Sequence, residues 1–451
     1  MRHSCIRRPL LLVAISACLV SAGSIAMGQV VATTRAVGGV SINADGILDN
    51  ASIDDLRVLQ QLRSKSLEQI PGELSGLTEL RKVSLRQLES TISECTEQGK
   101  PLPDAAKYLA GLQRIQYVFV YPDQQDIVLV GPAEGWKVDG KGNVIGVSTG
   151  RPVMLLDDLL VALRSARQAA QGGITCSIDP TQEGLARLQS VIASAQRQSQ
   201  GGNVRGAVAA IEEAMGPQKI TIGGVPDESH FARVLVAADY RMKRIAMKFE
   251  RSPVQGLPSY LDMAPASRGS VQTPRWWLEP NYQPILKDAA GLAWELRGGS
   301  VKCMTEEEFL AANGQRERSG KSAPMAQKWA DLMTEKYDAL AVAEPVFGQL
   351  RNCMELAIVS ALIVKERLPE KAGQSFPVLL ESEDVKTEEY PPATSVATKA
   401  SLVRKSGNWL VSVSGGVLVN SWGIADKTEV AEAPAQARSQ AGEHSGKWWW
   451  N

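Results

Sequence analysis

The sequence predicts an α+β protein: a mixed β-sheet flanked by helices, with long irregular connections and a C-terminal antiparallel strand set. Three observations carry this. Stretches of helical period and short β-branched or aromatic stretches alternate without a regular βα repeat. Tyr117–Tyr121 and Ile127–Val130 adjoin across Pro122-Asp123 as a hairpin, which makes part of the sheet antiparallel. Proline-rich polar stretches interrupt the pattern at 253–284 and 369–398. The chain has 451 residues, 44% hydrophobic and 22% charged, enough apolar mass for a large core. That content excludes a collagenous, mucin-like or wholly disordered chain.

Taken in order, residues 1–28 read as an export signal. Arg2, Arg7 and Arg8 precede the apolar run Leu10–Val20, and Ala26-Met27-Gly28 is a small-x-small cleavage pattern. That run is too short for a membrane span, so the mature chain is expected to carry none. An alternative is a lipid anchor at Cys18, which ends the lipobox-like Ile15-Ser16-Ala17-Cys18, although Leu19 and Val20 extend the apolar run beyond it. The location expected is the periplasm or cell envelope. Removal of the three arginines leaves 46 basic residues against 49 acidic ones, dispersed among one another. No concentrated positive face remains, so nucleic acid is not an expected partner.

Residues 29–109 form an N-terminal strand-turn and helical region. Gly38–Ile47 alternates as a short strand and turn, and Ser52 with Asp55 caps a helix Ile53–Lys65. Leu77–Gln98 follows with helical spacing. The main domain spans 110–370. After the Tyr117 hairpin comes a smaller one, Trp136–Val138 with Asn143–Ile145, and then a helix Leu155–Ala170. A strand Ile174–Ile178 leads through Asp179-Pro180 into a helix ending near Ser199. A helix Val204–Met215, a strand Lys219–Ile222 and a helix Glu228–Met247 capped by Asp227 follow. Leu292–Leu296 is expected to pair with Ser300–Met304, and Thr305–Glu308 to cap a short helix. Helices Met325–Val342 and Pro345–Glu366 close the domain. A linker, 371–398, leads to C-terminal strands in 399–425, and 426–451 reads as a disordered tail outside the fold. Gly38–Asn43 and Gly415–Asn420 echo one another as glycine-led strands that could share a sheet.

Few residues suggest chemistry. Gly146–Gly150 matches the G-x-S-x-G nucleophile pattern around Ser148, but the preceding strand is short and the next helix starts late. His230, near a helix start, is the other weak catalytic candidate; a neutral imidazole there could act as a base. Gly140-Lys141-Gly142-Asn143 lacks the ending of a phosphate loop, and no cofactor is expected. Cys95, Cys176, Cys303 and Cys353 have no CxxC spacing, so no metal site is expected. Cys303 and Cys353 are the pair singled out as a possible disulfide, since export permits oxidation. Trp276 and Trp277 read as rings plugging the core under a long loop. Trp448, Trp449 and Trp450, after a polar stretch, are candidate contacts for a partner.

The stretches HFARVLVAADYRMKRIAM (230–247), PRWWLEPNY (274–282), LAWELRG (292–298) and QKWADLMTEKYDALAVAEPVFGQLRNCMELA (327–357) resemble planctomycete exported proteins known as a domain of unknown function. The resemblance covers about residues 110–370. It implies export and no assigned activity. Two readings stand: a non-catalytic envelope protein that contacts an envelope protein or polysaccharide, which the missing motifs favour, and a secreted hydrolase with an unrecognised site.

Overall fold

The structure is a computed structural model. It describes residues 36–43, 45–197, 204–263, 274–310, 316–318, 320–382, 384–404, 408–411, 414–441 and 447–451. The expected export signal 1–28, with Cys18, lies outside the described residues. The fold is α+β, with helices packed on mixed sheets.

The larger sheet runs, in spatial order, Val40–Ile42, Ile47–Asn50, Ser395–Val396, Gln218–Gly223, Ile174–Asp179, Ser414–Val419, Pro274–Tyr282, Gly298–Leu310 and Arg316–Arg318. Two neighbouring pairs are parallel: Ile47–Asn50 with Ser395–Val396, and Ser414–Val419 with Pro274–Tyr282. The glycine-led echo thus does lie in one sheet, at its edge and at its centre. Gly415 is required where it stands. Its φ is +145°, and a Cβ there would fall 1.5 Å from the Trp276 carbonyl oxygen of the adjacent strand.

The smaller sheet runs Thr428–Val430, Ile285–Lys287, Ala293–Glu295, Tyr117–Tyr121, Asp126–Ala133, Thr78–Ser84 and Trp449–Trp450. The Tyr117 hairpin is its middle, turning through Gln125 in the left-handed region. Both its strands are apolar on both faces, the pattern of a doubly covered sheet. Val118, Val120, Ile127 and Leu129 join the main core, while Phe119, Val128 and Val130 face a second cluster that includes Ala441 and Trp450.

Between the elements lies the helix Pro345–Lys365, apolar all round and almost entirely buried. By length and composition it could cross a bilayer; here it is the core helix. Its Glu355, fully buried, accepts hydrogen bonds from Arg114 Nε (2.8 Å), Tyr282 Oη (2.6 Å) and the Ile115 amide. Tyr282 ends a strand of the larger sheet and Ile115 leads into the smaller one, so one paired carboxylate ties both sheets to the helix. The helix His230–Ala246 is held similarly. Its Lys243 Nζ donates to Asp239 (2.7 Å) and to the carbonyls of Ile178 and Gly415 on two central strands.

Several sequence expectations are corrected. The helix expected over Leu77–Gln98 splits into a strand, Thr78–Ser84, and a helix, Leu85–Glu97, because pairing on both sides outweighs local spacing. Thr305–Glu308 caps no helix. It lies in Gly298–Leu310, where Arg275 stands opposite Glu306 in register. Gly298–Leu310 pairs with Pro274–Tyr282 and not with Ala293–Glu295. Pro274–Tyr282 is accordingly a central strand and no loop; Trp276 is fully buried between Tyr260 and Trp329, as a core ring. The helix expected over Met325–Val342 breaks at Lys336.

The expected linker 371–398 contains a short helix, Pro377–Leu380, and the strand Ser395–Val396. The expected antiparallel set in 399–425 divides. Ser401–Arg404 pairs with Asn408–Val411 apart, whereas Ser414–Val419 enters the larger sheet, parallel to one neighbour. The tail is not disordered where it is described. Thr428–Val430 and Trp449–Trp450 are edge strands of the smaller sheet and Ala433–Gln440 is a helix. Residues 442–446 lie outside the described residues. Cys303 and Cys353 are buried free thiols, not a disulfide.

Candidate functional site

Two helices begin side by side. Leu156–Ala169 carries Asp157 and Asp158 in its first turn, where the helix dipole favours acids. His230–Ala246 starts at His230, with Ser229 as its cap instead of Asp227: the Ser229 hydroxyl accepts from the Ala232 amide. Both helices pack on the core helix. The packing brings His230 Nδ1 to 3.0 Å from Asp158 Oδ1 and 3.1 Å from Oδ2. The two side chains are only 4% and 5% exposed. A ring nitrogen facing a buried carboxylate carries the proton, so Nδ1 is the donor and Nε2 the acceptor of the neutral imidazole. Nε2 has no hydrogen-bond partner among the described residues.

His230 lines a cavity of about 430 Å³. Asp157, Tyr108, Arg63 and Gln349 share the wall, and residues 386–390 form a strap across it. The strap is anchored at two points and braced by one bond within itself. The Glu388 amide donates to Asp157 Oδ2 (3.1 Å), the Tyr390 amide to the Glu228 carbonyl (2.7 Å), and the Tyr390 hydroxyl to Glu388 Oε2 (2.9 Å). Tyr390 stacks under Arg233 at 5.4 Å, its ring centre 6.0 Å from that of His230.

Burial sets the proton affinities around the cavity. It raises Asp157, against the amide bond from Glu388. It pushes Tyr108 up to about 12 and Tyr390 further. Burial also pushes the Cys353 thiol well up, and its hydrogen bond to Asp158 adds to this. The thiol therefore stays protonated and donates to the carboxylate that orients His230. Cys353 is a free, fully buried thiol behind the site.

Ser148 is not part of this arrangement. It is exposed on the loop after the Val144–Gly146 strand and does not line the cavity. The Gly146–Gly150 loop has a different purpose: it wraps the buried carboxylate of Glu134. The Ser148 amide (2.7 Å), the Thr149 amide (2.9 Å), the Thr149 hydroxyl and Gln113 Nε2 (2.8 Å) all donate to it. Burial raises Glu134, and these four bonds outweigh it, holding the carboxyl down at about 2.

Residues 176–260 match the model of a family described as a protein of unknown function (DUF1598). The match runs from the strand Ile174–Asp179 to Tyr260 and takes in His230, but leaves out Asp158, Gln349 and the strap. It covers about a fifth of the chain, a narrower span than the resemblance over 110–370 suggests. The chain matches no curated protein and no solved structure.

The tryptophans at the end are also placed. Trp449 and Trp450 are each 9% exposed and pack on opposite faces of the smaller sheet, one on the main core and one on Phe119, Val128 and Val130. Both are interior to this chain, while Trp448 is half-buried at the edge of the main core. Sequence reasoning missed Asp158 because 72 residues separate it from His230. It missed Gln349 because a polar residue in an apolar helix carries no directional signal. The one usable hint was Asp157-Asp158 at a helix start, which local electrostatics already explains.

Proposed function

We propose that this is an exported protein whose His230 cavity is an acid–base site acting on a small molecule, with hydrolysis as the reaction class. The observation that supports the catalytic part is the Asp158–His230 pair at the cavity wall, with Nε2 unpartnered. A carboxylate on Nδ1 fixes the tautomer and stabilises the imidazolium formed when Nε2 takes a proton. The described lining holds no serine or cysteine, and in this reading the nucleophile is water with His230 as its base. Water attacks the electrophilic carbon or phosphorus, its proton passes to Nε2, and the imidazolium returns that proton to the departing oxygen. The reading favoured by motifs alone, a non-catalytic envelope protein, stands second. It is supported by the helix Ile53–Ser66, whose Val58 and Leu62, one turn apart on one face, are 38% and 53% exposed, an apolar spot open to an envelope protein or a polysaccharide.

The arginine-led apolar segment ending at Gly28 supports export. N-terminal sequencing of the protein from its native cell is expected to begin near Gln29; an intact Met1 or a lipid on Cys18 overturns that. For the chemistry, purified protein is assayed against acetyl esters, lactones and phosphomonoesters. Turnover of at least one class is expected, falling about 10²–10⁴-fold in His230→Asn at unchanged melting temperature. No turnover of any class, or full activity in His230→Asn, removes the catalytic reading.

A further inference from the structure

The wall of the His230 cavity divides by chemistry. One part is aliphatic, lined by the half-buried Leu102 and Leu155 and the buried Val144 and Val153. Another carries two polar atoms that nothing else in the chain uses. His230 Nε2, an acceptor, has no hydrogen-bond partner among the described residues, and neither has the Tyr108 hydroxyl, a donor. Neither atom is sealed from solvent. The other phenol on the wall, Tyr390, already donates to Glu388. Asp157 lies within electrostatic reach of both Tyr108 and His230, which places donor and acceptor in one neighbourhood. Burial raises the Tyr108 phenol to about 12, so it stays protonated and donates. An independent observation concerns how Tyr108 is held. It ends the short helix Asp104–Lys107, and Leu109, Ala110 and Gly111 follow with φ of +45°, +54° and +78°. Residues with side chains rarely enter that region, still less two in succession, and Leu109 and Ala110 are fully buried. Such strain persists only where the surrounding structure over-determines it, and it collects at functional sites. Here it sits directly after Tyr108, whose ring is set edge-on against Trp136 at 5.6 Å.

We propose that the cavity hydrolyses neutral esters with an aliphatic acyl chain: the chain lies against Leu102, Val144, Val153 and Leu155, the carbonyl oxygen accepts a hydrogen bond from Tyr108 Oη, and His230 activates the water. This rests on the reading of the His230 cavity as a hydrolytic site; it names the substrate class and a second catalytic residue. The oxygen of water bonds to the carbonyl carbon as its proton passes to Nε2. The carbonyl π pair moves onto oxygen, where the Tyr108 hydroxyl stabilises the new charge. The intermediate then re-forms the carbonyl and breaks the bond to the alkoxy oxygen, which takes the proton back from the His230 imidazolium. Ester and water give acid and alcohol, with no other reactant. The volume, about 430 Å³, falls within the range of small-molecule sites, and such sites pair an apolar wall with a few placed polar groups.

Steady-state kinetics of the purified protein on phenyl butyrate, phenyl acetate and phenyl phosphate test this. Phenyl butyrate is expected to turn over with kcat/KM about tenfold above that of phenyl acetate, the worth of two buried methylenes, and phenyl phosphate not at all. Tyr108→Phe keeps the ring against Trp136. It is expected to lower kcat on phenyl butyrate about 10²-fold, with KM changed by no more than about twofold and the melting temperature unchanged. Leu102→Ala, on a half-buried side chain, is expected to reduce the preference for butyrate severalfold, and an unchanged preference overturns the aliphatic wall whatever Tyr108→Phe does. Wild-type kcat in Tyr108→Phe, a raised KM at unchanged kcat, equal rates on the two esters, or turnover of phenyl phosphate alone overturns the proposal and leaves His230 as a base. No turnover of any of the three removes the catalytic reading and this proposal together.

Discussion

Glu134 is a residue whose role is decided by counting donors. Four hydrogen bonds from one loop and one glutamine converge on a carboxylate that has no exposed surface. Its proton affinity is depressed, to about 2 from an ordinary 4.5, so the native state holds this proton less tightly than the unfolded chain. The stability it contributes is therefore complete above pH 4.5 and lost as pH falls from there toward 2. Glu134→Gln is expected to destabilise by about 1–3 kcal/mol at pH 7, because two amide donors would then face an amide nitrogen or a single oxygen. The difference from wild type should shrink as denaturation is measured toward pH 2.5. A difference that stays constant with pH would show that shape, and not charge, governs the loop. The same residue explains why G-x-S-x-G misled: the glycines serve a carboxylate cradle, since a Cβ on Gly146 would fall 2.0 Å from Glu134 Oε1. His230 was legible as a helix-start histidine. Its partner was not, since nothing local distinguishes an acid that faces water from one that turns inward.

At the scale of elements, legibility followed local order. The capped helix Ile53–Ser66, the Tyr117 hairpin and the helices from Leu156 and Pro345 each carry their own signal, in caps, turn residues or apolar period. The misread elements owe their state to distant partners. Thr78–Ser84 is a strand because Asp126–Ala133 and Trp449–Trp450 flank it. The tail has few apolar residues of its own, yet it covers a sheet face that would otherwise be wet. A clue was present: Tyr117–Tyr121 and Asp126–Ala133 are apolar on consecutive residues, which requires a cover on each face. The tail's attachment is specific. Arg438 Nε donates to the Val120 carbonyl (2.9 Å), Trp450 Nε1 to Ala441 (3.3 Å), and the fully buried Arg81 gives Nε to the Asn451 side chain (2.5 Å) with Trp449 stacked at 5.5 Å. Trp450→Ala is therefore expected to cost about 3 kcal/mol. Deleting residues 447–451 should lower the melting temperature by several degrees or more, since it also strips a partner from a buried guanidinium. A melting temperature unchanged by the deletion would mean that the strand contributes no stability.

For the whole molecule, α+β architecture was readable from composition and from the irregular alternation of periods, while the allocation of strands to two sheets was not. Strand order depends on register and on contacts across hundreds of residues, for which a single sequence holds no local signal. Val40–Ile42 and Ser395–Val396 flank Ile47–Asn50, and Ile285–Lys287 takes Thr428–Val430 as its parallel neighbour. Among the described residues, segments from both ends of the chain share each sheet. The bond between Arg81 and Asn451 spans 370 positions. A ribosome that has made the first four-fifths of this chain has made none of the partner that closes the edge beside Thr78–Ser84. Until Trp449 and Trp450 pair with it, that edge presents unpaired amides and carbonyls and an apolar sheet face, the combination on which chains stick to one another. Loops of this span close slowly. A chain shortened before Trp449 is accordingly expected to carry a self-complementary edge and to aggregate more readily than the full chain, which light scattering of the two at matched concentration checks.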